Sequence, residues 1–151
     1  MHDANLPRVV LDTNVFVSGT ILPVGSANEI LEKWRQNSFE LLTSRAQVAE
    51  LVEVLERPKF AQRYHVGIAE IAALVRRIEV SAVTLNSLDP PAIELRDPDD
   101  AKILATAMTG KAWFLVTGDD DLLSVRDDPR LQLLEIVRPA EFLDRLPHRA
   151  P

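Results

Sequence analysis

Arg8-Val-Val-Leu-Asp12-Thr13-Asn14 is an apolar, β-branched run that stops on a carboxylate and a polar turn. A short run of this kind predicts a buried strand ending at Asp12. The same pattern returns at Trp113 to Thr117, with Gly118-Asp119-Asp120-Asp121 behind it. Phe39–Thr43, Val80–Leu85 and Leu131–Val137 are predicted as the remaining strands. Helices are predicted between them. One covers Ser26–Gln36, and one runs from Ser44 toward Glu56, opened by the Ser44/Gln47 capping-box pattern and stopped by Pro58. A third spans Gly67–Arg77, where Ile68, Ile71, Ala72 and Val75 fall at i, i+3, i+4 and i+7. A fourth starts at Asp97-Pro98, with Asp97 as N-cap and Pro98 in the first helical position, and ends at Gly110. Ala140–Leu146 closes the series. Alternating strands and helices imply an α/β fold: a three-layer α/β/α sandwich around a mainly parallel sheet of four to five strands.

The 151 residues fit a single domain, 1–151, with its core between about 8 and 138. A net charge of −6, from 17 Lys plus Arg and 23 Asp plus Glu, at first argues against a polyanionic substrate. Two divalent ions in an acidic pocket would offset that locally, and repulsion beyond about 8 Å is screened in physiological salt. The absence of cysteine excludes disulfides, thiolate zinc sites and a Cys nucleophile. Met1–Pro7 lacks an apolar signal core and no apolar run approaches ~20 residues, so the expectation is a cytoplasmic protein outside the membrane.

In an open parallel sheet, ligands sit beyond the carboxyl ends of the strands, where Asp12 and Asp119 fall. Asp100 heads an apolar stripe with Ile103, Leu104 and Ala107, so an acid faces inward at a helix start. The alternative is that Asp100 merely complements the helix dipole, for about 0.3–1 kcal/mol. Glu50 lies off the centre of its own stripe, Val48, Leu51, Val52 and Leu55, as Glu53 does. Being three residues earlier, Glu50 sits about 4.5 Å nearer the helix start and the rim. Asp121 is open between ligand and ordinary turn former. Carboxylates about 4 Å apart repel by roughly 4 kcal/mol at an effective dielectric of ~20, so such a pocket needs a cation. Oxygen donors without His or Cys suit Mg²⁺ or Mn²⁺, and such ions serve phosphate chemistry.

Five ordered motifs, covering roughly residues 8 to 138, resemble the PIN-domain family. They are Val9 to Phe16, Thr43-Ser44 with Ala49-Glu50-Leu51, Arg57-Pro58-Lys59-Phe60, Arg96 to Asp100 with Ile103-Leu104-Ala105, and Val116 to Leu122. The branch most similar is that of VapC-like ribonucleases, the toxin components of toxin-antitoxin operons. The resemblance implies a Mg²⁺- or Mn²⁺-dependent endoribonuclease with one or two ions held by Asp12, Glu50, Asp100 and Asp119. It further implies that Asn14, beside Thr13, orients Asp12, and that Ser44 and Thr117 line the pocket, although the residues alone also allow a helix cap and a strand end. A cognate antitoxin protein and a homodimer are implied as partners. Ala101 departs from the pattern, since relatives often extend the acidic run there.

The expected reaction is hydrolysis of a phosphodiester of single-stranded RNA. Arg57, Lys59, Arg63, Arg76 and Arg77 form the densest basic set and are candidate phosphate contacts. His2, His65 and His148 lie outside every motif and are expected to be exposed. Two rival readings compete. A receiver-like or dehalogenase-like phosphotransfer domain would use Asp12 as acceptor, but wants an acidic pair after the first strand or an Asp at position 14, where Asn14 stands. The other rival is a catalytically inert PIN fold that binds RNA or a protein.

Overall fold

The computed structural model describes residues 6–146. Its elements, in order, are β1 (Arg8–Leu11), α1 (Thr13–Ile21), α2 (Ser26–Arg35), β2 (Glu40–Ser44), α3 (Arg45–Leu55), α4 (Pro58–Tyr64), α5 (Ile68–Ser81) and β3 (Val83–Leu85). There follow α6 (Pro98–Thr109), β4 (Phe114–Val116), α7 (Asp120–Leu123), a 3₁₀ turn (Pro129–Leu131), β5 (Glu135–Val137) and α8 (Pro139–Arg145). All four strand pairings are parallel and the order is β3-β2-β1-β4-β5.

Side-chain alternation along the strands divides the core into two layers. Val9, Leu11, Leu41, Phe114, Val116 and Val137 pack on one face, with Phe16, Trp34, Leu51, Leu55, Ile78 and Phe142 from the helices. Val10, Leu42, Leu115 and Ile136 pack on the other, against Ile103, Leu104, Ala107 and Leu122 of α6 and α7. The chain winds outward from β1 to β3 with α1 to α5 on the first face, then returns through α6 on the second to build β4 and β5. Winding in opposite directions with right-handed crossovers forces the helices onto opposite faces. The winding reverses between β1 and β4, and that seam opens a crevice at the carboxyl rim.

Several boundaries differ from those expected. Asp12-Thr13-Asn14 does not end in a turn: Asp12 is the N-cap of α1, and Asp12 O accepts from Val15 N at 2.9 Å. The α1 sequence TNVFVSGTI carries no polar stripe because it is covered on several sides, by the sheet, α2 and α3. Gly19 permits that packing, since an added Cβ would stand 2.8 Å from Ala27 O. Pro58 ends α3 as expected but also opens α4 as its first residue. Val80 and Ser81 belong to α5, so β3 starts only at Val83. Leu131–Leu134 is the end of a 3₁₀ helix followed by a turn rather than strand, because Gln132 takes a left-handed φ of 57°. Trp113 is half exposed and stands outside β4.

Candidate metal centre

Four chain segments deliver acids to the seam. Asp12 leaves the end of β1, Glu50 projects from α3, Asp97, Asp99 and Asp100 start α6, and Asp119 caps α7. Asp12, Thr13, Asn14, Glu50, Asp97, Asp99, Asp100, Ile103 and Asp119 line one cavity of about 160 Å³. Asp97 and Asp99 stand outside the four expected acids, although both lie in the Asp97-Pro-Asp-Asp100 run. Asp97 indeed caps α6, its Oδ1 accepting from Asp99 N at 2.8 Å, and the same side chain borders the cavity.

Hydrogen bonds fix these carboxylates. Thr117 Oγ1 donates to Asp12 Oδ2 at 2.7 Å and accepts from Asp119 N at 2.9 Å. Thr13 Oγ1 lies 3.4 Å from Glu50 Oε2, within donating distance. Asp119 Oδ1 accepts from the N–H groups of Asp121 and Leu122, at 2.8 and 3.3 Å. Asn14 is exposed at the cavity edge; among the described residues, the side-chain bond to Asp12 comes from Thr117, not Asn14. Ser44 Oγ accepts from Gln47 N at 3.2 Å, forming half of the expected capping box. The Gln47 side chain does not return to Ser44. It is buried and bonds Leu11 O and the Thr43 hydroxyl, pinning α3 to the ends of β1 and β2.

Asp121, open between ligand and turn former in the sequence, comes within reach of the pocket. The chain turns helical at Asp120, and carboxylate oxygens of Asp100, Asp119 and Asp121 lie within 4.8 Å of one another. Asp120 faces out toward Arg138, 3.6 Å away.

The pocket disfavours charge when it holds no ion. Burial, then the carboxylates of Asp119, Asp97, Asp12 and Asp121, push Asp100 up to about 7. Asp12 is raised by burial, with Asp119 and Asp97 adding, against the Thr117 hydroxyl and the Thr13 N–H. Glu50 is raised by burial and Asp99, opposed by the Thr13 hydroxyl and Lys102. Asp100 Oδ2 is buried without a hydrogen-bond partner. An all-oxygen donor set with an orphaned acceptor fits a hard divalent cation.

The PIN domain family profile matches residues 8–121. The chain belongs to the PIN-domain family. This PIN domain is 30% identical over 142 residues to the uncharacterized protein MJ1680 of Methanocaldococcus jannaschii, an alignment covering 91% of this chain and 90% of that protein. Its fold is similar to the crystal structure of FitAcB from Neisseria gonorrhoeae, with a TM-score of 0.50 and 17% identity over 87% of this chain and 98% of that one.

The basic set of this PIN domain is dispersed. Lys59 Nζ lies 5.1 Å from the Phe60 ring, and the Arg63 and Arg77 guanidinium carbons lie 5.7 and 5.3 Å from Tyr64 and Trp34. Arg76 is exposed on α5. None of these four borders the acidic cavity, whereas Arg57 lines a second cavity adjoining it. His65 is exposed at the end of α4; His2 and His148 lie outside the described residues. No helix among the described residues is long and apolar enough to cross a membrane.

Proposed function

We propose that this PIN domain is a divalent-metal-dependent endoribonuclease that hydrolyses phosphodiester bonds of single-stranded RNA, and that it is the toxin of a toxin-antitoxin pair. The observation that carries the reading is the meeting of Asp12, Glu50, Asp100 and Asp119 around one cavity, with Asp100 Oδ2 buried and unpartnered. Asp100 and Asp119 would hold a Mg²⁺ or Mn²⁺ ion, joined by Asp121, with Asp12 and Glu50 completing the acidic wall. A bound ion supplies a water of lowered pKa and countercharge for the phosphate.

The protein's own groups do the rest. Thr117 holds Asp12 in place, Thr13 approaches Glu50, and the α7 amides hold Asp119, so the acids are oriented before substrate arrives. Hydrolysis adds water across one P–O bond and leaves no covalent enzyme intermediate. The test is cleavage of single-stranded RNA by purified protein with Mg²⁺, Mn²⁺ or EDTA. Cleavage with either ion and none in EDTA is expected; full activity in EDTA on a metal-depleted sample overturns the reading. The toxin assignment and the homodimer rest on the sequence motifs. Growth arrest on expression, reversed by the product of an adjoining gene, and a dimeric mass by light scattering are the matching tests.

A further inference from the structure

A second cavity of about 340 Å³ adjoins the acidic one and shares Glu50, Asp99 and Ile103 with it. Its walls carry charge in a graded order. Glu50 and Glu53 lie three apart on α3, with Arg57 beyond its end as the N-cap of α4, and Asp99, Lys102 and Thr106 lie at i, i+3 and i+7 on α6. Both walls are acidic beside the metal centre and lose that charge away from it. Lys102 lies one helical turn beyond Asp99, about 4.5 Å along the axis, and Arg57 lies past the end of α3, beyond both Glu50 and Glu53.

The two cations are uncommitted. Among the described residues neither Lys102 nor Arg57 makes an ion pair or a side-chain hydrogen bond, whereas Arg96, Arg126, Arg130 and Arg138 are each paired with a carboxylate. Lys102 bears on the Glu50 carboxylate and so lies beside the proposed reaction centre. An unpaired ammonium in a groove that opens onto a phosphodiester-cleaving pocket suits a phosphate on the same strand.

We propose that this groove is the track for the RNA strand on one side of the cut, with Lys102 holding the phosphate next to the scissile one and Arg57 holding the phosphate beyond. The inference rests on the ribonuclease reading. Lys102 is a positioning residue: it holds the strand and takes no part in bond breaking. A strand that ends at the scissile phosphate cannot reach it.

The experiment compares wild type, Lys102→Gln, Lys102→Arg and Arg57→Gln on a dinucleotide and on single-stranded RNA oligonucleotides of increasing length. Binding of a labelled oligonucleotide is followed in parallel by anisotropy at several salt concentrations, with Ca²⁺ replacing Mn²⁺. Lys102→Gln is expected to raise KM about tenfold on oligonucleotides with kcat within about twofold, to leave the dinucleotide unchanged, and to lower the salt slope by roughly 0.7 for one lost phosphate contact. Lys102→Arg restores KM, and the Arg57→Gln effect emerges only on longer strands. Equal KM for wild type and Lys102→Gln at every length, with an unchanged salt slope, overturns the track, as does an equal loss on the dinucleotide, which would mark Lys102 as structural. A wild type that binds RNA through Lys102 yet cleaves none would overturn the nuclease reading and leave the track standing. No binding and no cleavage overturns both.

Discussion

Thr117 Oγ1 donates to Asp12 Oδ2 across the seam between β4 and β1, 2.7 Å from an acid 105 positions away in the chain. The same oxygen accepts from Asp119 N. One hydroxyl thus sets the spacing between two acids that burial and mutual repulsion would otherwise drive apart.

Thr117→Val keeps the shape and removes both bonds. A buried carboxylate and a part-buried N–H lose a partner, and the expected loss is about 1–3 kcal/mol of stability together with weaker Mn²⁺ affinity. Urea denaturation and calorimetric titration measure the two effects. An unchanged midpoint would mean that water replaces the hydroxyl.

Asp12→Asn is expected to fold and to lose cleavage. The amide oxygen still accepts from Thr117, and the N-cap role of Asp12 uses its backbone carbonyl rather than its side chain. Removing a charge from the crowded pocket should raise the melting temperature of the metal-free protein. A large fall in melting temperature would assign Asp12 a structural role.

In EDTA the protein is expected to lose stability as pH rises from about 4 to about 7. Asp100, raised from 3.8 to about 7, keeps its proton in the folded state over a range where the unfolded chain has released it, so folding is penalised increasingly up to its folded pKa. Asp12 and Glu50, also raised, act with the same sign. Asp128 acts oppositely: held down to about 2 by the Arg130 side chain and backbone N–H, it adds stability present above 3.8 and lost as pH falls toward 2. Urea midpoints at a series of pH values test this. Adding Mn²⁺ should reverse the slope, because the ion competes with the proton for the same oxygens. A metal-free midpoint that climbs between pH 5 and 7 would contradict the crowding.

The three consecutive acids after β4 should separate on substitution by Asn. Asp119→Asn is expected to cost the most cleavage and metal affinity, since Asp119 faces Asp100 and an amide oxygen still caps α7. Asp121→Asn should cost less, because its carboxylate is shared with Arg96 at 3.2 Å. Asp120→Asn should change little. Equal, mild effects at all three positions would leave the motif as an acidic turn.

What was legible in the sequence was the rim: strands that stop on acids, and an acid heading the apolar stripe of α6. Glu50 was ambiguous because a helical wheel weighs only the stripe, whereas Glu50 is aimed sideways, toward Thr13 of a helix that periodicity did not disclose. That helix, α1, was illegible for the reason that it is buried: with Val15, Phe16, Val17 and Gly19 all covered, no polar face marks its period. Asp121 stays ambiguous in the sequence because a four-residue helix is too short to leave a pattern. The cations were legible as composition and not as geography. Arg63 and Arg77 lie against aromatic faces, while Lys102 is hidden in the sequence because a Lys on an amphipathic helix looks like ordinary surface.

The pocket is also where α1, α6 and α7 begin, with Asp12 and Asp119 as caps and Asp100 in the first turn of α6. Each helix start turns amide N–H groups toward the pocket, equivalent to up to about half an elementary charge and weaker for the short α7. The acids already use some of them, Asp97 Oδ1 accepting from Asp99 N and Asp119 Oδ1 from Asp121 N and Leu122 N. The backbone therefore offers the acids a partial counterion that cannot diffuse away. If the proposed ion is bound, two events separate in time for a newly made chain: the polypeptide closes around its acids first and collects the ion afterwards, so metal supply would govern when the protein becomes active without governing whether it folds.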